Sequence, residues 1–383
     1  MYRLPLWKKT YIILYKVLLR LIYIISSLCL RQKNNKIVIA LYRTKDLEGN
    51  LKYIYDELIK EMPDAKIHLV RGENKMNLRL FKEVILLSNT KYLILDDYYL
   101  PIYLIKPRKT LKVIQLWHAA GAFKKFGWST LGTKFGSNQE YLNLVPIHSN
   151  YTNVYVSTEK VIDFYADAFN MDSNKIYPLG IPRIDLFNQP KECAKIIEKI
   201  KKDNPQLQED KVNVLVAPTY RAKGAQEEST FDFISLLSNV SKTFNKNIRI
   251  IFKPHPYMNE KSLAPLQEVP NIIIAKKYSI NEWMLLSDAF ITDYSSSIFE
   301  FSLLKRPLAH VIPDLDEYTK NRGFYQDIDV ISDGKIINNQ QELVEWINSR
   351  HKNEYFDTSN MIRNNFDYVE DVTVRIVNHI LQR

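Results

Sequence analysis

At 383 residues the chain is long enough for two or three domains, and its hydrophobic content of 46% and charged content of 25% are those of an ordinary folded protein. Its net charge of +10 is confined to the first 45 residues, which carry ten Lys or Arg and no acidic residue, while the remaining 338 carry 43 basic and 43 acidic groups. This distribution argues against a general nucleic-acid-binding surface and for a local anchor. Cys29 and Cys193 exclude a disulfide framework and favour a reducing compartment.

Residues 1–33 are predicted to form an interfacial membrane-anchoring helix. Lys9, Lys16 and Arg20 fall on one side of that helix, and aromatic and aliphatic residues populate much of the rest. The longest uncharged stretch, Leu21 to Leu30, has ten residues, whereas a spanning helix needs about 20. A helix with a basic and an apolar face favours the headgroup region of an anionic leaflet. A core or oligomer helix and a signal or spanning segment are the alternatives.

The rest of the chain alternates apolar β-branched runs with helical patterns, which is typical of parallel α/β sheets. The alternation stops at a charged, proline-containing stretch, restarts at residue 212, and is predicted to end with a short strand near 328–332. We therefore predict a GT-B-like α/β fold, in which two doubly wound Rossmann-type domains face a central cleft. The predicted segments after the anchor are a first domain at 34–187, a linker at 188–211, a second domain at 212–360 and a final helix at 361–383 that crosses back to the first domain.

Two histidines lie where strands are predicted to end, one in each half of the chain. His118 ends the apolar run 112–118, and His255 follows the apolar run that begins at residue 248. Ligands of open α/β sheets bind outside the carboxyl ends of the strands, so both histidines are expected in the cleft. A neutral imidazole is suited to remove a proton from a hydroxyl group. For His118 the alternative is a structural role beside a core strand, and for His255 it is a surface histidine on a prolyl turn.

The sequence has no glycine-rich phosphate loop, so an anion site must come from strand–helix junctions and side chains. The best candidate runs from Thr292 to Ser297, where a strand leads into a helix whose N-terminus would favour an anion. The alternative is a capping box made by Ser297 and Glu300. Arg221 could clamp a diphosphate, with a surface salt bridge as its alternative. The predicted anion-site residues are Thr219, Arg221, Lys253, Thr292, Asp293, Ser295, Ser296 and Ser297.

Lysines and aromatic residues follow the small residues after His118. Lys124, Lys125 and Trp128 form a mix that suits a phosphorylated amphiphile at a membrane edge, or else a buried helix start with solvated lysines. A turn near the expected hinge holds Gly180, Arg183 and Asp185. No histidine has a companion at metal-ligand spacing, so no metal site is predicted. Asp96 and Asp97 end a predicted strand and are given a structural or surface role.

Taken together, these segments resemble the CDP-glycerol glycerophosphotransferase family of wall teichoic acid synthesis. The chain's WHAAGAFKKFG stands where polymerases of that family typically carry WHGTPLKKIG, and it looks like the primase branch, which adds the first glycerol phosphate. The short length is also similar to a primase. The matching segments, which span roughly residues 110–330 in the family's order, are QLWHAAGAFKKFG (115–127), GIPRID (180–185), APTYR (217–221), FKPHP (252–256), ITDYSSSIFEF (291–301), KRP (305–307) and RGFY (322–325).

The resemblance implies a reaction and its partners. CDP-glycerol would bind the second domain, and an undecaprenyl-diphosphate-linked disaccharide would bind the first. A hydroxyl of the N-acetylmannosamine would attack phosphorus and release CMP at the cytoplasmic face of the plasma membrane, where the protein would be peripheral on an anionic surface. A second-step or polymerising polyol-phosphate transferase, a GT-B glycosyltransferase that uses a nucleotide sugar, and a non-catalytic scaffold are the alternatives. The oligomeric state, a divalent-cation requirement and the number of units added stay open.

The resemblance also implies roles for particular residues. The family's two important histidines fall on His118 and His255. We assign His118 as the base on the acceptor hydroxyl, and the sequence leaves the opposite assignment open. The expectation that Lys124, Lys125 and Trp128 lie at the acceptor rests on their residue types and not on the resemblance. The family's phosphate-binding segment falls on Thr292, Asp293, Ser295 and Ser296.

Overall fold

The computed structural model describes residues 4–221 and 229–382. In this part of the chain, twelve strands form two six-stranded parallel sheets, one in each half of the sequence. All residues of the first strand are buried because helices cover both faces of the sheet. The predicted α/β class and the two parallel sheets are confirmed.

The first sheet has the strand order β2-β1-β3-β4-β5-β6. Its strands are β1 (Lys36–Leu41), β2 (Lys66–Arg71), β3 (Tyr92–Leu95), β4 (Lys112–Gln115), β5 (Asn153–Tyr155) and β6 (Ile176–Tyr177). The α-helices of this half are α1 (Leu6–Cys29), α2 (Gly49–Glu61), α3 (Arg79–Leu87), α4 (Leu100–Leu104), α5 (Gln139–Leu144) and α6 (Ile162–Phe169), and α7 (Pro190–Asp203) lies within the predicted linker. Short 3₁₀ turns occupy Gly127–Thr130, Glu159–Val161, Ser173–Lys175, Pro182–Asn188 and Pro205–Gln208.

The second sheet has the order β12-β11-β10-β7-β8-β9, with its first and fourth strands in the centre, as in a dinucleotide-binding fold. Its strands are β7 (Val212–Val216), β8 (Ile248–Phe252), β9 (Ile272–Ile274), β10 (Ala289–Thr292), β11 (Leu308–Val311) and β12 (Lys335–Ile337). The helices are α8 (Phe233–Val240), α9 (Ala264–Gln267), α10 (Ile280–Leu285), α11 (Ser297–Ser302), α12 (Leu315–Asn321), α13 (Ile328–Ile331), α14 (Gln340–Asn348), α15 (Ser359–Asn365) and α16 (Val372–Leu381), with 3₁₀ turns at Ser241–Thr243 and Glu260–Leu263.

The strand expected near 328–332 is instead the helical turn α13, and β12 follows it. Ile328 and Ile331 are both buried, whereas Val330 is exposed. A spacing of three between buried residues is that of a helix rather than of a strand.

The amino-terminal helix α1 lies against the first domain. Ile12, Leu19 and Tyr23 are buried, at spacings of seven and four residues. By length and composition α1, with 24 residues and a mean hydropathy of 2.0, is the one helix of the described chain that could cross a membrane. The apolar part of this helix is therefore longer than the ten-residue uncharged stretch indicated.

Lys9, Lys16 and Arg20 of α1 turn toward the protein, which is opposite to the expectation that they form a lipid-facing basic side. Lys16 Nζ donates to Leu144 O at 2.6 Å, and Arg20 Nε donates to Leu104 O at 3.0 Å. Leu144 and Leu104 end two short helices, whose last carbonyls attract cations. Lys9 pairs with Glu140 at 3.0 Å.

The opposite side of α1 is an uncharged apolar surface, which we call the outer stripe. Its residues recur every three, four or seven positions, so they share one helix face. Their exposed fractions range from 48% to 82%. The outer stripe consists of Trp7, Leu14, Leu18, Leu21, Ile25 and Leu28.

The final helix α16 returns to the first domain, where the turn at residues 180–185 receives it. The Asp185 carboxylate accepts the backbone N–H groups of Val372 and Thr373 at 3.0 and 2.8 Å, and so caps the helix. Gly180 has φ +104°, and a Cβ atom there would lie 2.7 Å from Val372 Cγ1. This close approach requires glycine.

A second joint pairs a segment of each domain directly. Lys125 N donates to Gly323 O at 3.1 Å, and Tyr325 N donates to Phe123 O at 2.9 Å. The rings of Phe123 and Phe324 stack at 4.6 Å between centroids. The small residues after His118 allow the same approach, because a Cβ on Gly121 would meet the second domain within 2.4 Å.

Candidate active site

The candidate site is the cleft between the carboxyl edges of the two sheets. His118 follows β4 in the first domain, and His255 follows β8 in the second. The two imidazoles lie close enough for their charges to interact, and the charge of Arg43, which follows β1, acts on both. The structure therefore brings together the two histidines that the sequence places at strand ends.

His118 is held as a hydrogen-bond acceptor toward the cleft. Its Nδ1 lies 2.8 Å from the backbone oxygen of Asp96. A carbonyl only accepts, so Nδ1 carries the proton and the neutral ring keeps its lone pair on Nε2. Burial, together with the charges of Arg43, Arg183 and His255, holds the pKa of His118 well below its usual range. The Trp117 ring stacks on the imidazole at 4.4 Å and fixes its plane.

His255 has the opposite tautomer. Its Nδ1 accepts the backbone N–H of Tyr257 at 3.2 Å, so the proton of the neutral ring is on Nε2. Burial, assisted by the charges of Arg43 and Lys124, lowers the pKa of His255 to about 4. One imidazole thus offers a lone pair and the other offers an N–H group. This difference separates two residues that sequence alone leaves equivalent.

Asp96 is a buried carboxyl group beside His118 rather than a surface residue. It is 7% exposed, and its Oδ1 has no hydrogen-bond partner among the described residues. Burial raises the pKa of this carboxyl to about 7. Its backbone carbonyl sets the tautomer of His118, a role that the Asp-Asp pattern at the strand end does not indicate.

Behind His118, a buried ion pair connects the domains. Arg183, from the turn at residues 180–185, donates from Nε to Glu300 Oε2 at 2.9 Å and pairs with Oε1 through Nη2. The same Nη2 donates to the backbone oxygen of His118 at 3.0 Å. Asn281 Nδ2 donates to Glu300 Oε2 at 2.6 Å, and Asn50 Oδ1 accepts the Arg183 N–H at 3.1 Å.

Sequence reasoning missed Glu300. The capping-box alternative was wrong, because the N-cap residue of α11 is Ser296, which makes no side-chain cap, and Glu300 points into the interdomain contact. The available signal was one carboxylate in the otherwise apolar helical run SIFEFSLL, since a buried charge needs a partner.

Two cations that the sequence predicts to bind the anion instead form ion pairs or hydrogen bonds within the protein. Arg221 pairs with Asp293 at 3.1 Å and with Asp314, so two carboxylates balance its charge. Lys253 Nζ donates to the backbone oxygens of Ala275 at 3.2 Å and Tyr278 at 2.6 Å. These contacts make both cations part of the cleft wall.

The threonines and Asp293 also stabilise that wall. Thr219 donates to the Asp293 carboxylate through its backbone N–H and its hydroxyl group, each at 2.8 Å. The hydroxyl of Thr292 donates to Ala217 O at 2.7 Å. These bonds tie the end of β10 to the end of β7, so the three residues hold the strand ends together.

The serines that follow β10 make fewer hydrogen bonds to the rest of the protein. Ser295 Oγ lies 2.8 Å from Ser297 Oγ, and Ser297 is buried. Ser296 is half-buried, and its hydroxyl makes no hydrogen bond to another described residue. Donor contacts by these serines stay a prediction.

The three residues predicted at the acceptor lie in different environments. Lys124 pairs through its backbone with Phe324, and its charge acts on His255, which places it at the cleft. The aliphatic part of Lys125 lies close to Gly323. Trp128 donates its indole N–H to Ile147 O at 3.0 Å within the first domain. Within residues 4–221 and 229–382, no cluster of three His, Cys, Asp or Glu could hold a metal ion.

Comparison with known proteins identifies the family. A family model described as CDP-glycerol:poly(glycerophosphate) glycerophosphotransferase matches residues 22–382. The chain belongs to this family. Membership in the glycerophosphotransferase family makes the chain an enzyme of the transferase class.

Individual relatives refine this finding. The teichoic acid ribitol-phosphate primase of Bacillus spizizenii is 37% identical over 339 residues, 86% of this chain and 86% of that protein. The teichoic acid glycerol-phosphate primase of Bacillus subtilis is 25% identical, over 82% of this chain and 81% of that protein. Among solved structures, the wall teichoic acid polymerase TagF has a TM-score of 0.74 at 20% identity, and the match covers 98% of this chain and 97% of TagF. The predicted family is confirmed, and the fold is similar to that of TagF, whereas the glycerol-phosphate primase branch is not established.

We predict that Glu300→Gln destabilises the folded state by about 3–5 kcal/mol, because it leaves Arg183 buried without a counter-charge. Chemical denaturation followed by circular dichroism measures the change. Glu192→Gln, which removes one partner of an exposed ion pair with Lys195, is the matched control and should cost less than about 1 kcal/mol. Equal costs for the two variants would contradict the role of the buried pair. Adding Arg183→Met to Glu300→Gln should recover part of the loss.

Proposed function

We propose that this enzyme transfers one polyol phosphate from a CDP-linked donor to a lipid-linked acceptor and releases CMP, the priming step of a teichoic acid chain. The supporting observation is the pair of cleft histidines, one with a free Nε2 lone pair and the other with an Nε2–H. A base for the attacking hydroxyl and a donor for the leaving oxygen are what such a displacement requires. Family membership supports a CDP-linked donor.

The polyol is a separate question. The expectation from the sequence motifs was glycerol phosphate, but the relatives favour ribitol phosphate, because a ribitol-phosphate primase shares 37% identity and a glycerol-phosphate primase shares 25%. We therefore propose ribitol phosphate as the transferred group, with glycerol phosphate as the second candidate. The identity of 37% to a ribitol-phosphate primase, against 33% to a poly(ribitol-phosphate) polymerase, favours a single addition over polymerisation.

In the proposed reaction, the acceptor hydroxyl binds against His118 Nε2 and gives it a proton as its oxygen attacks the phosphorus. A new P–O bond forms to the acceptor, and the bond between that phosphorus and the bridging oxygen of CMP breaks. His255 Nε2–H donates to the phosphate oxygen that leaves. The buried Arg183–Glu300 pair holds the backbone of His118 in place during this displacement.

Substrate placement follows from the two edges of the cleft. Ser295 and Ser296 lie at the end of β10 and are proposed to contact the donor. Lys124 is proposed to lie near the acceptor, since its charge reaches His255. Arg221 and Lys253 shape the donor side through their internal contacts and are not proposed as phosphate ligands.

We also propose that α1 attaches the enzyme as a peripheral protein to the cytoplasmic membrane surface, where a lipid-linked acceptor would lie. The outer stripe supplies apolar side chains for insertion. Lys8, Arg31 and Lys33 are exposed and would face anionic headgroups. The buried residues of α1 hold the helix on the first domain and favour a helix that lies in the interface over one that crosses the bilayer.

The reaction can be tested with purified enzyme, an undecaprenyl-diphosphate-linked acceptor, and CDP-ribitol or CDP-glycerol as separate donors. Mass spectrometry identifies the product, and CMP release gives the rate. One added ribitol phosphate is the expected result. A ladder of additions would indicate a polymerase, and transfer from UDP-sugars alone would indicate a glycosyltransferase. Acceptors with and without a first glycerol phosphate distinguish the priming position.

We predict that His118→Ala and His255→Ala each reduce turnover by about 100-fold or more, the range for loss of a positioned acid–base group. His351→Ala, at an exposed position outside the cleft, is the control and should retain wild-type turnover. Circular dichroism confirms that each variant folds. Near-wild-type turnover in either cleft variant would remove that histidine from the reaction.

The pH dependence follows from the lowered histidine pKa values. Because the pKa of His118 lies well below its usual value, its neutral form persists as the pH falls, and activity should be lost only when His118 becomes protonated. Because the Asp96 carboxyl beside His118 has a pKa of about 7 and would itself titrate in this range, the test uses Asp96→Asn, which keeps the backbone carbonyl. In this variant we expect kcat/KM to stay level from about pH 8 to about pH 6, whereas an ordinary histidine would give an acid limb near 6.5. A steady-state pH profile with a soluble acceptor measures this. An acid limb at the ordinary value would show that His118 is not the neutral base described.

We predict that Leu18→Gln, Leu21→Gln and Ile25→Gln, made together, weaken binding to vesicles by about 100-fold or more, since each buried leucine-sized side chain contributes about 1.5–3 kcal/mol. Deletion of α1 is a poorer test, because Ile12, Leu19 and Tyr23 contribute to the core. The control combines Lys8→Gln, Arg31→Gln and Lys33→Gln, which should lower binding mainly at low salt. Co-sedimentation with anionic vesicles measures both sets. Unchanged binding by the apolar variant would disprove insertion of the outer stripe.

A further inference from the structure

Arg43 stands at the same edge of the first sheet as His118. Ile39 of β1 is level with Ile94 of β3, which is level with Ile114 of β4. Arg43 and His118 each follow by four residues the isoleucine of their own strand. The register of the parallel strands therefore brings the arginine to the level of the proposed base. No motif in the sequence indicates a role for this residue.

The Arg43 guanidinium is uncommitted. It is half-buried, and within residues 4–221 and 229–382 it has neither a hydrogen bond nor an ion pair. This contrasts with Arg183, Arg221 and Lys253, each of which is held by carboxylates or carbonyl groups. A half-buried guanidinium without a partner has lost part of its hydration and gains strongly from an anionic ligand.

The acidic groups that interact with Arg43 do not bind its guanidinium. The Asp96, Asp97 and Glu48 carboxyls lie close enough for their charges to interact with it, yet none forms an ion pair with it. Burial raises the pKa of all three carboxyls, to about 7 for Asp96. The guanidinium is therefore available to a ligand.

Arg43 also lies near both proposed reaction groups. Among the charged groups that lower the pKa of His118 and of His255, Arg43 has the largest effect on each. A transferred phosphoryl group must sit between the base and the hydrogen-bond donor, where a cation close to both histidines can reach it. The diphosphate of a lipid-linked acceptor is separated from its attacking hydroxyl by sugar residues, so it would lie farther away.

We infer that Arg43 binds the diphosphate of the CDP-linked donor and holds the transferred phosphoryl group between His118 and His255. This inference rests on the proposed function. The planar guanidinium donates two parallel hydrogen bonds to phosphate oxygens, which a lysine cannot reproduce. Its fixed positive charge stabilises the negative charge that develops on the phosphoryl oxygens and on CMP. The sequence has no glycine-rich loop to bind the diphosphate, and the Arg43 side chain supplies positive charge there instead.

The test compares Arg43→Gln, Arg43→Lys and, as a control of equal charge change, Arg363→Gln, which lies exposed on α15. In Arg43→Gln, kcat/KM for the donor should fall about 10- to 100-fold, the loss of a charge-assisted bidentate contact, while the KM for the acceptor changes little. Arg43→Lys should recover only part of the rate. The control should match the wild type. An effect confined to acceptor KM, or equality with the control, would overturn the assignment.

Two further measurements separate this inference from the proposed function. Calorimetric binding of CDP requires no transfer, and Arg43→Gln should weaken it about tenfold or more. The pKa of His255, measured by NMR, should rise in Arg43→Gln and not in Arg363→Gln, because a nearby positive charge is removed. If the wild type transfers no polyol phosphate, the proposed function is wrong, and CDP binding still decides the role of Arg43. Unchanged CDP affinity would overturn it.

Discussion

The buried ion pair between Arg183 and Glu300 is the constraint on which the geometry of the cleft depends. Each partner comes from a different domain, and each would be costly to bury alone. The pair is therefore satisfied only when the two sheets approach as they do here. Because the same guanidinium donates a hydrogen bond to the backbone oxygen of His118, the contact between the domains also positions the proposed base. The Asp185 carboxylate also caps α16 and so stabilises the contact of this final helix with the first domain.

The cleft uses its charged residues in two ways. Arg183, Arg221 and Lys253 are immobilised by groups of the protein, and their strong internal contacts fix the walls against which substrates bind. Fixed walls matter for phosphoryl transfer, because the protein contributes mainly positioning and electrostatic stabilisation. Arg43 alone among these four cations lacks an internal partner, so it retains its interaction energy for a ligand.

The histidines illustrate how a local contact assigns chemistry. A backbone carbonyl at one ring and a backbone N–H at the other give the two imidazoles opposite tautomers. Burial keeps both neutral over the physiological range. The helix α1 also divides its surfaces. Lys16 and Arg20 donate hydrogen bonds to the last carbonyl groups of two short helices, while the outer stripe remains exposed. The membrane proposal therefore rests more on apolar insertion than on charge.

The sequence by itself determined the alternation of strands and helices, the two parallel sheets and the family, because β-branched runs, strand-end residues and motif order are local properties of the chain. It also placed His118 and His255 at strand ends, and topology then required that they meet at the cleft. Only the tertiary structure decided which cations stay available, since pairing depends on residues far apart in sequence, such as Arg221 with Asp314. The same holds for Glu300, which resembles a helix cap locally but serves a partner 117 residues away. Helical periodicity grouped Lys16 with Arg20 on one side of α1 but could not say whether that side faces protein or lipid, because the choice depends on the carbonyl groups that the folded domain presents.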